Sequence, residues 1–412
     1  MYDLVVVGGG PAGLMAAGTA ACEGGRVLLL EKMEKPARKL RITGKGRCNV
    51  TNDRPVGEFL AKVRQGASFF ESAFRAFDNR AAIRFIESLG VPLVCERGGR
   101  YFPASGRAWD VADALVSWAV RCGVEIRCYA AVALLRLDGG RVAGVKLVGG
   151  ETVAARAVLL ATGGVSYPAT GSTGDGHQMA FDAGHRIEPL RPALVPLEVE
   201  VPAGLKGLAL RNVALTLRVD GEVAEERFGE MEFTAEGVVG GAIVLQVSRT
   251  AVDALADGRR VQAVVDLKPA LDEAKLRNRI LRETAELGAD APLRVLMQKL
   301  LPAQLRKAIA SAAGLALSRP LGGLTVAEVS RLIAVLKGWS FPVRDYRPFT
   351  EAIVTAGGVD LSEVDPQTLE SSKVRGLYFA GELLDIDADT GGYNIQIALS
   401  TGYLAGMSAV KR

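Results

Sequence analysis

Three glycines near the N-terminus, Gly8, Gly10 and Gly13, stand at the G-x-G-x-x-G spacing, and the acid Glu31 follows them at the end of the next apolar run. In a strand–helix–strand setting these residue types at this spacing suit the gripping of a dinucleotide; the alternative is a structural βα turn in some other α/β fold. Gly8 permits a tight turn, Gly10 lets the backbone approach a pyrophosphate, and Gly13 lets a helix pack on a strand. The helix that starts there, through Ala12, offers free N–H groups and the positive end of its dipole to the anion. Glu31 is placed to accept hydrogen bonds from ribose hydroxyls.

A second cluster follows. Between Lys32 and Arg47 there are seven cations, Lys32, Lys35, Arg38, Lys39, Arg41, Lys45 and Arg47, against the single acid Glu34. Within it, Thr43-Gly44-Lys45-Gly46-Arg47-Cys48-Asn49 alternates glycine with cations. A solvated turn is one reading; a loop wrapped on an anion or a flavin suits the composition and position better. Cys48 is a catalytic candidate, because neighbouring Lys45 and Arg47 would lower its thiol pKa. It would then serve as proton donor or redox sensor; the alternative is a small residue packed beneath a cofactor. His177 is a candidate general acid, a structural helix-start histidine being the equal alternative, with Tyr167 and Tyr393 as weaker acid candidates.

The elements that position these groups can be read from periodicity. Residues 3–7 and 26–30 are short apolar strands around an Ala-rich helix at 14–22, a complete β-α-β unit. Residues 31–52 read as loop. Residues 59–90 read as helical, 91–95 and 100–103 as strands, 111–120 as a helix and 124–128 as a strand. Strands at 131–137, 141–148 and 151–154, separated by glycine turns, form a β-meander. A strand at 157–160 then runs into Ala161-Thr162-Gly163-Gly164, small residues where a chain passes close to a cofactor. A glycine-rich loop, 166–176, leads to a short helix that opens at Gly174-Asp175-Gly176-His177.

Pro189, Pro192 and Pro196 mark a change of character. Residues 197–247 are patterned as strands, with a hairpin turn at Asp220-Gly221, and 253–339 are mostly helical. The glycine-rich style returns at 353–359. A strand at 377–380 then meets Gly381-Glu382, and the stretch through Asp387, Asp389, Thr390, Gly391, Gly392, Tyr393, Asn394, Ile395 and Gln396 enters a helix at 397–406. This is a second anion and hydroxyl site. The domains are therefore expected as 1–190 with 350–412, discontinuous and cofactor-binding, then an inserted β-rich domain at 191–252 and a small helical domain at 253–349.

Composition narrows the class. The 412 residues are 49% hydrophobic and 23% charged, which excludes bulk disorder. Glycine contributes 48 residues, clustered between apolar runs. The net charge of +4 does not by itself imply nucleic acid. Five cysteines without a CxxC pair are read as reduced thiols of a cytoplasmic protein. Two histidines exclude a His-rich metal site, and no metal is expected. The first strand begins without a basic leader, and no apolar run reaches membrane length.

The segment 43–52 (TGKGRCNVTN), the segment 354–359 (VTAGGV) and the segment 378–396 (YFAGELLDIDADTGGYNIQ) resemble the BaiN/RdsA-type NAD(P)/FAD-dependent oxidoreductases over nearly the whole chain. The resemblance implies an α/β fold of the two-dinucleotide-binding-domain flavoprotein type: a Rossmann-like FAD-binding domain with a β-meander, plus inserted β-rich and helical domains. It implies that Lys39, Thr43, Gly44, Arg47 and Cys48 lie along FAD, and that Gly381, Glu382, Asp387, Gly392, Asn394 and Gln396 contact pyrophosphate, ribityl chain and flavin ring. Lys32, Ala161, Thr162, Gly163, Gly391, Tyr393 and Ile395 are expected beside them. Better-known members carry FTHxGxSGP in a region the resemblance places at the substrate. Here residues 233–241 read FTAEGVVGG, a mark of a divergent subfamily.

The expected activity is reduction of flavin by NAD(P)H and hydride transfer to a C=C or C=N bond of a ring substrate. No second strand–GxGxxG–helix unit exists, so NAD(P)H is expected as a transient donor. Two other readings are a flavoenzyme making dihydrouridine in ribosomal RNA, guided by the basic run and by eight cations against five acids at 270–310, an excess that a solvated helix face explains more simply, and a non-catalytic flavin-binding redox sensor.

Overall fold

The computed structural model describes residues 1–411. They divide into two compact units, Met1–Pro192 with Phe349–Arg412, and Ala193–Pro348.

The first unit is built on a seven-stranded sheet. Strand β1 (Tyr2–Val7) leads through α1 (Pro11–Cys22) into β2 (Val27–Leu30). All four residues of β2 and the last four of β1 are buried, as continuous Val/Leu runs in a parallel sheet must be. β1 lies between β2 and the long β6 (Thr152–Leu160), parallel to both, with Val6 opposite Leu29 on one side and Leu159 on the other. Ahead of β6 in the chain come α2 (Arg38–Gly46), α3 (Ala108–Arg121), β3 (Glu125–Arg127), β4 (Val132–Asp138) and β5 (Arg141–Leu147). After it come α4 (Asp175–Asp182), β7 (Val354–Val359), β8 (Leu377–Phe379) and α5 (Tyr393–Val410).

The third meander strand and the strand at 157–160 are one element. Residues 152–154 of β6 pair antiparallel with β5, while 158–160 pair parallel with β8. Alternating burial over the first half and continuous burial over the second explain why the periodicity breaks there. Two further expectations are corrected. The segment 31–52 is not all loop, since α2 begins at Arg38 and kinks at Thr43, where Thr43, Gly44 and Lys45 leave helical geometry. The stretch 59–90 is not one helical run but Val56–Leu60, a three-residue strand Val63–Gln65, Ala67–Ala76 and Asn79–Ser88.

Helix α5 brings the C-terminus back onto α1. A Cβ added at Gly402 would stand 2.3 Å from the Ala12 carbonyl oxygen, and one at Gly406 would stand 2.4 Å from that of Ala16. Two glycines one turn apart let the helix backbones touch. On its other side α1 meets α3, where Gly18 admits the Trp118 ring. The two helices end together, and Cys22 and Cys122 are joined in a disulfide with Cα atoms 5.0 Å apart. The expectation of five free thiols is thereby corrected; separation by 100 residues hides the pairing from sequence. Cys48, Cys95 and Cys128 are free.

The second unit is a closed antiparallel barrel, ordered Leu197–Val199, Val239–Gly240, Glu222–Phe233, Leu208–Val219, Val261–Asp266 and Trp339–Tyr346. Helices Ala242–Ala256, Glu273–Leu287, Leu293–Leu300, Ala303–Ala312 and Val326–Lys337 accompany it. Barrel residues Val265 and Phe341 share one hydrophobic cluster with the helical residues Ile280, Leu296 and Leu332. A division at 252/253 therefore cuts through a single core. The strand pattern read to 247 also ends early, because 242–256 is helix. Among the described residues no helix is long and apolar enough to cross a membrane.

Candidate functional site

Parallel β1, β2 and β6 end together, so the loops that follow them meet above one sheet edge. Gly8 takes φ +104°, and a Cβ there would lie 2.5 Å from the Ala161 carbonyl oxygen and 2.9 Å from Thr162 Cα. The turn therefore presses against the end of β6 and accepts only glycine. A Cβ on Gly13 would fall 1.9 Å from the Gly8 carbonyl oxygen. Gly10 is different: nothing lies within 4 Å of its would-be Cβ. It caps α1 without a side-chain hydrogen bond, leaving the helix N–H groups open. Gly381 arrives from β8 at φ +74°, its would-be Cβ 2.9 Å from Ala12 Cβ.

Glu31 follows β2, as the spacing predicts. Its Oε2 accepts from the Gly9 N–H at 2.9 Å and its Oε1 from the Met33 N–H at 2.8 Å. The carboxylate is held beside the glycine turn.

Four segments meet at Glu382. Lys39 Nζ lies 3.0 Å from Oε2 and 3.2 Å from Oε1 of Glu382, and donates to Ser166 Oγ at 2.6 Å. Ser166 Oγ donates to Glu382 Oε1 at 2.9 Å, and the Thr355 N–H donates to the same oxygen at 2.8 Å. Lys39 and Glu382 thus join α2 to the C-terminal segment, through Ser166 and Thr355, which sequence reasoning did not single out. Thr355 sits in the VTAGGV run, and that run was the available signal.

Other candidates are placed differently. Lys32 pairs with Asp175 Oδ2 at 2.7 Å and donates to Thr173, so it closes the start of α4. Arg47 turns to Glu96 and stacks over Phe102 at 4.4 Å. It does not activate Cys48, whose side chain has no exposure and whose thiol is pushed up to about 12, above all by burial. The expected lowering of that pKa is corrected: burial outweighs cations that point elsewhere. Thr43 Oγ1 bonds the Leu40 carbonyl at 2.7 Å, and Gly44 takes φ +58° in the kink of α2.

The residues ahead of α5 hold one another. The Asn394 side chain bonds the Ala388 N–H and carbonyl at 3.1 and 2.9 Å. Gln396 is buried, joining Thr51 Oγ1, the Phe77 carbonyl and Ser400. Tyr393 packs edge-on against Phe59 and accepts from Arg54 Nε at 3.0 Å; burial raises its pKa. A Cβ on Gly392 would lie 2.6 Å from the Thr51 carbonyl, while Gly391 O accepts from Asn52. Asp387 is buried in a two-residue strand opposite Gln65, and Ile395 packs on the core. These side chains build the loop, so a ligand there would meet mostly backbone.

Among the described residues the buried Thr162 Oγ1 and Asn49 Oδ1 have no hydrogen-bond partner. Thr162 flanks Gly8. A Cβ on Gly176 would fall 2.0 Å from Thr162 Oγ1, which puts the first turn of α4, with His177, at the same place. Gly163, at φ +73°, completes that crossing. Orphaned polar atoms around an open helix N-terminus fit a dinucleotide such as FAD. Burial lowers the His177 pKa to about 4, with the Glu382 charge and a backbone hydrogen bond to Leu383 opposing, so the imidazole is neutral at pH 7. A neutral imidazole there can accept or donate a hydrogen bond, and at pH 7 it carries no imidazolium proton to give. Among the described residues no cluster of His, Cys, Asp or Glu could hold a metal ion.

The family model described as HI0933-like protein Rossmann domain matches residues 2–408. The 3-dehydro-bile acid delta(4,6)-reductase of Clostridium scindens is 32% identical, with 100% of each chain covered. The ribosomal RNA dihydrouridine synthase of Escherichia coli is 30% identical over 98% of this chain and 96% of its own. Among solved structures, 3-ketosteroid delta1-dehydrogenase from Sterolibacterium denitrificans has a TM-score of 0.55 at 16% identity, covering 99% of each chain. The FrdA chain of E. coli quinol fumarate reductase has 0.52 at 18%, covering 100% of this chain and 70% of its own. The structural likenesses carry the fold; the full-length sequence matches carry more. With its glycine turn open at Gly10 and both ends of the chain meeting at Ala12, the protein belongs to the HI0933-like Rossmann-domain family.

Proposed function

We propose that the first unit binds FAD and that the protein is a reductase of an electron-poor C=C or C=N bond in a ring substrate, with NAD(P)H as transient electron donor. The observation that carries the reading is the open N-terminus of α1 at Gly10, with Gly381 and Glu31 beside the same turn. Bound FAD supplies the hydride chemistry; the chain supplies binding and orientation. The α1 N–H groups would hold the pyrophosphate and Glu31 the ribose. Lys39 offers an ammonium that Glu382 keeps in place. The 32% identical relative named as a bile acid reductase supports a reductase acting on a fused-ring compound. The segment 233–241 leaves the substrate itself open to change. Its Val239–Gly240 pairs with Leu197 and with Glu232–Phe233 to close the barrel, and Gly241 accepts only glycine against Met231.

The test is anaerobic. Purified protein carrying FAD is mixed with NADH or NADPH and flavin absorbance is followed, then enones are screened for reoxidation. Bleaching by either nucleotide supports the reading; a protein that takes up no FAD defeats it.

A second reading is an RNA-modifying flavoenzyme. It is favoured by the relative named as a ribosomal RNA dihydrouridine synthase, and by the half-exposed Trp109 between Lys35 at 4.3 Å and Arg41 at 4.5 Å. RNA binding that falls steeply with salt would support it.

A further inference from the structure

We propose that Ser166 is a positioning residue of this site: its hydroxyl holds the Lys39 ammonium against the Glu382 carboxylate, so that their charges cancel where an anionic cofactor must approach. The assignment rests on the reading of the site as an FAD site.

Donor and acceptor rules single out Ser166. An ammonium only donates and a carboxylate only accepts, whereas a hydroxyl does both. Ser166 Oγ lies 2.6 Å from Lys39 Nζ, which only donates, and of its two acceptors the charged Glu382 Oε1 at 2.9 Å is much nearer than the Ile353 carbonyl at 3.4 Å, so its proton goes to the carboxylate. Ser166 itself has no exposure, while the Lys39 and Glu382 side chains are each 22% exposed. The bridging hydroxyl is thus fixed in the interior and the charged groups reach outward from it.

Its own position is fixed twice. The N–H groups of Val165 and Ser166 donate to Thr355 Oγ1 at 2.9 and 3.1 Å, and the Thr355 N–H donates to Glu382 Oε1 at 2.8 Å. The neighbouring Gly164 leaves room for this, since a Cβ there would stand 2.3 Å from Thr355 Oγ1. Ser166, Thr355 and Glu382 therefore form a closed ring, with Lys39 as the cation drawn into it.

The electrostatic purpose follows from the ligand class. A dinucleotide brings a doubly negative pyrophosphate, and an unpaired Glu382 would oppose it across a poorly screened site. Lys39 removes that opposition only while it stays on the carboxylate. Lysine has a flexible four-carbon stem and many alternative positions, and Ser166 removes that freedom.

The test titrates apoprotein with FAD, reading flavin fluorescence and the visible spectrum of the bound form, for wild type, Ser166→Ala, Ser166→Thr, Glu382→Gln and the double variant Ser166→Ala/Glu382→Gln. Loss of a hydrogen bond to charged groups predicts about tenfold weaker binding for Ser166→Ala, with a shifted flavin spectrum. Ser166→Thr, which keeps the hydroxyl, stays within about twofold of wild type. The double variant binds no more weakly than Glu382→Gln, because the serine acts through the carboxylate. If Ser166→Ala does not fold, Ser166→Val set against Ser166→Thr makes the same comparison at matched volume. Wild-type affinity and an unshifted spectrum in Ser166→Ala or Ser166→Val overturn the proposal. So do losses that simply multiply in the double variant. A wild type that binds no FAD fails at the first step, and overturns the reading of the site instead.

Discussion

Gly402 on the C-terminal helix faces the carbonyl oxygen of Ala12 in the first turn of α1, and a Cβ at Gly402 would stand 2.3 Å from that oxygen. The last helix of the chain is therefore seated on the element that would hold a pyrophosphate. A side chain there must push the helices apart. Gly402→Leu is expected to cost at least about 1–3 kcal/mol, the usual range for overpacking, and to reduce bound flavin together with stability. Urea melts with flavin absorbance measure both. An unchanged midpoint would show that the helices do not meet there.

The converse holds at Gly10. It has an ordinary extended conformation, φ −74° and ψ −178°, and open space where a Cβ would project. Gly10→Glu should fold with a change within about 1 kcal/mol, because nothing clashes. The new carboxylate would occupy and repel the anion position. The expected protein is stable and colourless, checked by thermal melting and by flavin content after soaking in excess FAD. A yellow Gly10→Glu protein would move the cofactor elsewhere.

Much of this was legible in the sequence, for identifiable reasons. The β-α-β unit was readable because Gly8, Gly10 and Gly13 act locally: each is needed by a neighbour within the turn. The return of the C-terminal segment was visible in its glycine-rich style around Gly381 and Gly392. The roles of individual side chains were not legible. Arg47 and Cys48 are adjacent in sequence, yet one turns out to Glu96 while the other is buried, and adjacency carries no direction. The resemblance put Gln396 among the cofactor contacts, but burial against Thr51 and Phe77 uses its amide. Ser166 and Thr355 were overlooked because their partner Glu382 is far away in the chain.

The thiols offer a direct check. Under native, non-reducing conditions Cys95 and Cys128 should react with iodoacetamide, being exposed and half-buried. Cys48 should not, since it is buried with a pKa near 12. Cys22 and Cys122 should react only after reduction. Chain-entropy arguments put the stability lost on reduction at up to about 5 kcal/mol for a loop of this length. Peptide mapping by mass spectrometry, with urea melts before and after reduction, tests both statements. Alkylation of Cys22 without reductant would refute the pairing.

His177 links stability to pH. Burial holds its imidazole near 4, against an ordinary value of 6.5. Between those values the unfolded chain binds the proton and the folded chain does not, so stability rises with pH through this window. The contribution is fully present above 6.5 and is lost as pH falls toward 4. A shift of that size corresponds to about 3 kcal/mol across the window. His177→Asn, which cannot take up the proton, should flatten the stability profile between pH 6.5 and 4 while leaving the slope above pH 7 unchanged. Urea midpoints measured at half-unit steps, wild type against variant, decide it. Parallel profiles would mean that His177 is as accessible to protons in the folded protein as in the open chain. The ring would then face water rather than the dry interior its burial implies.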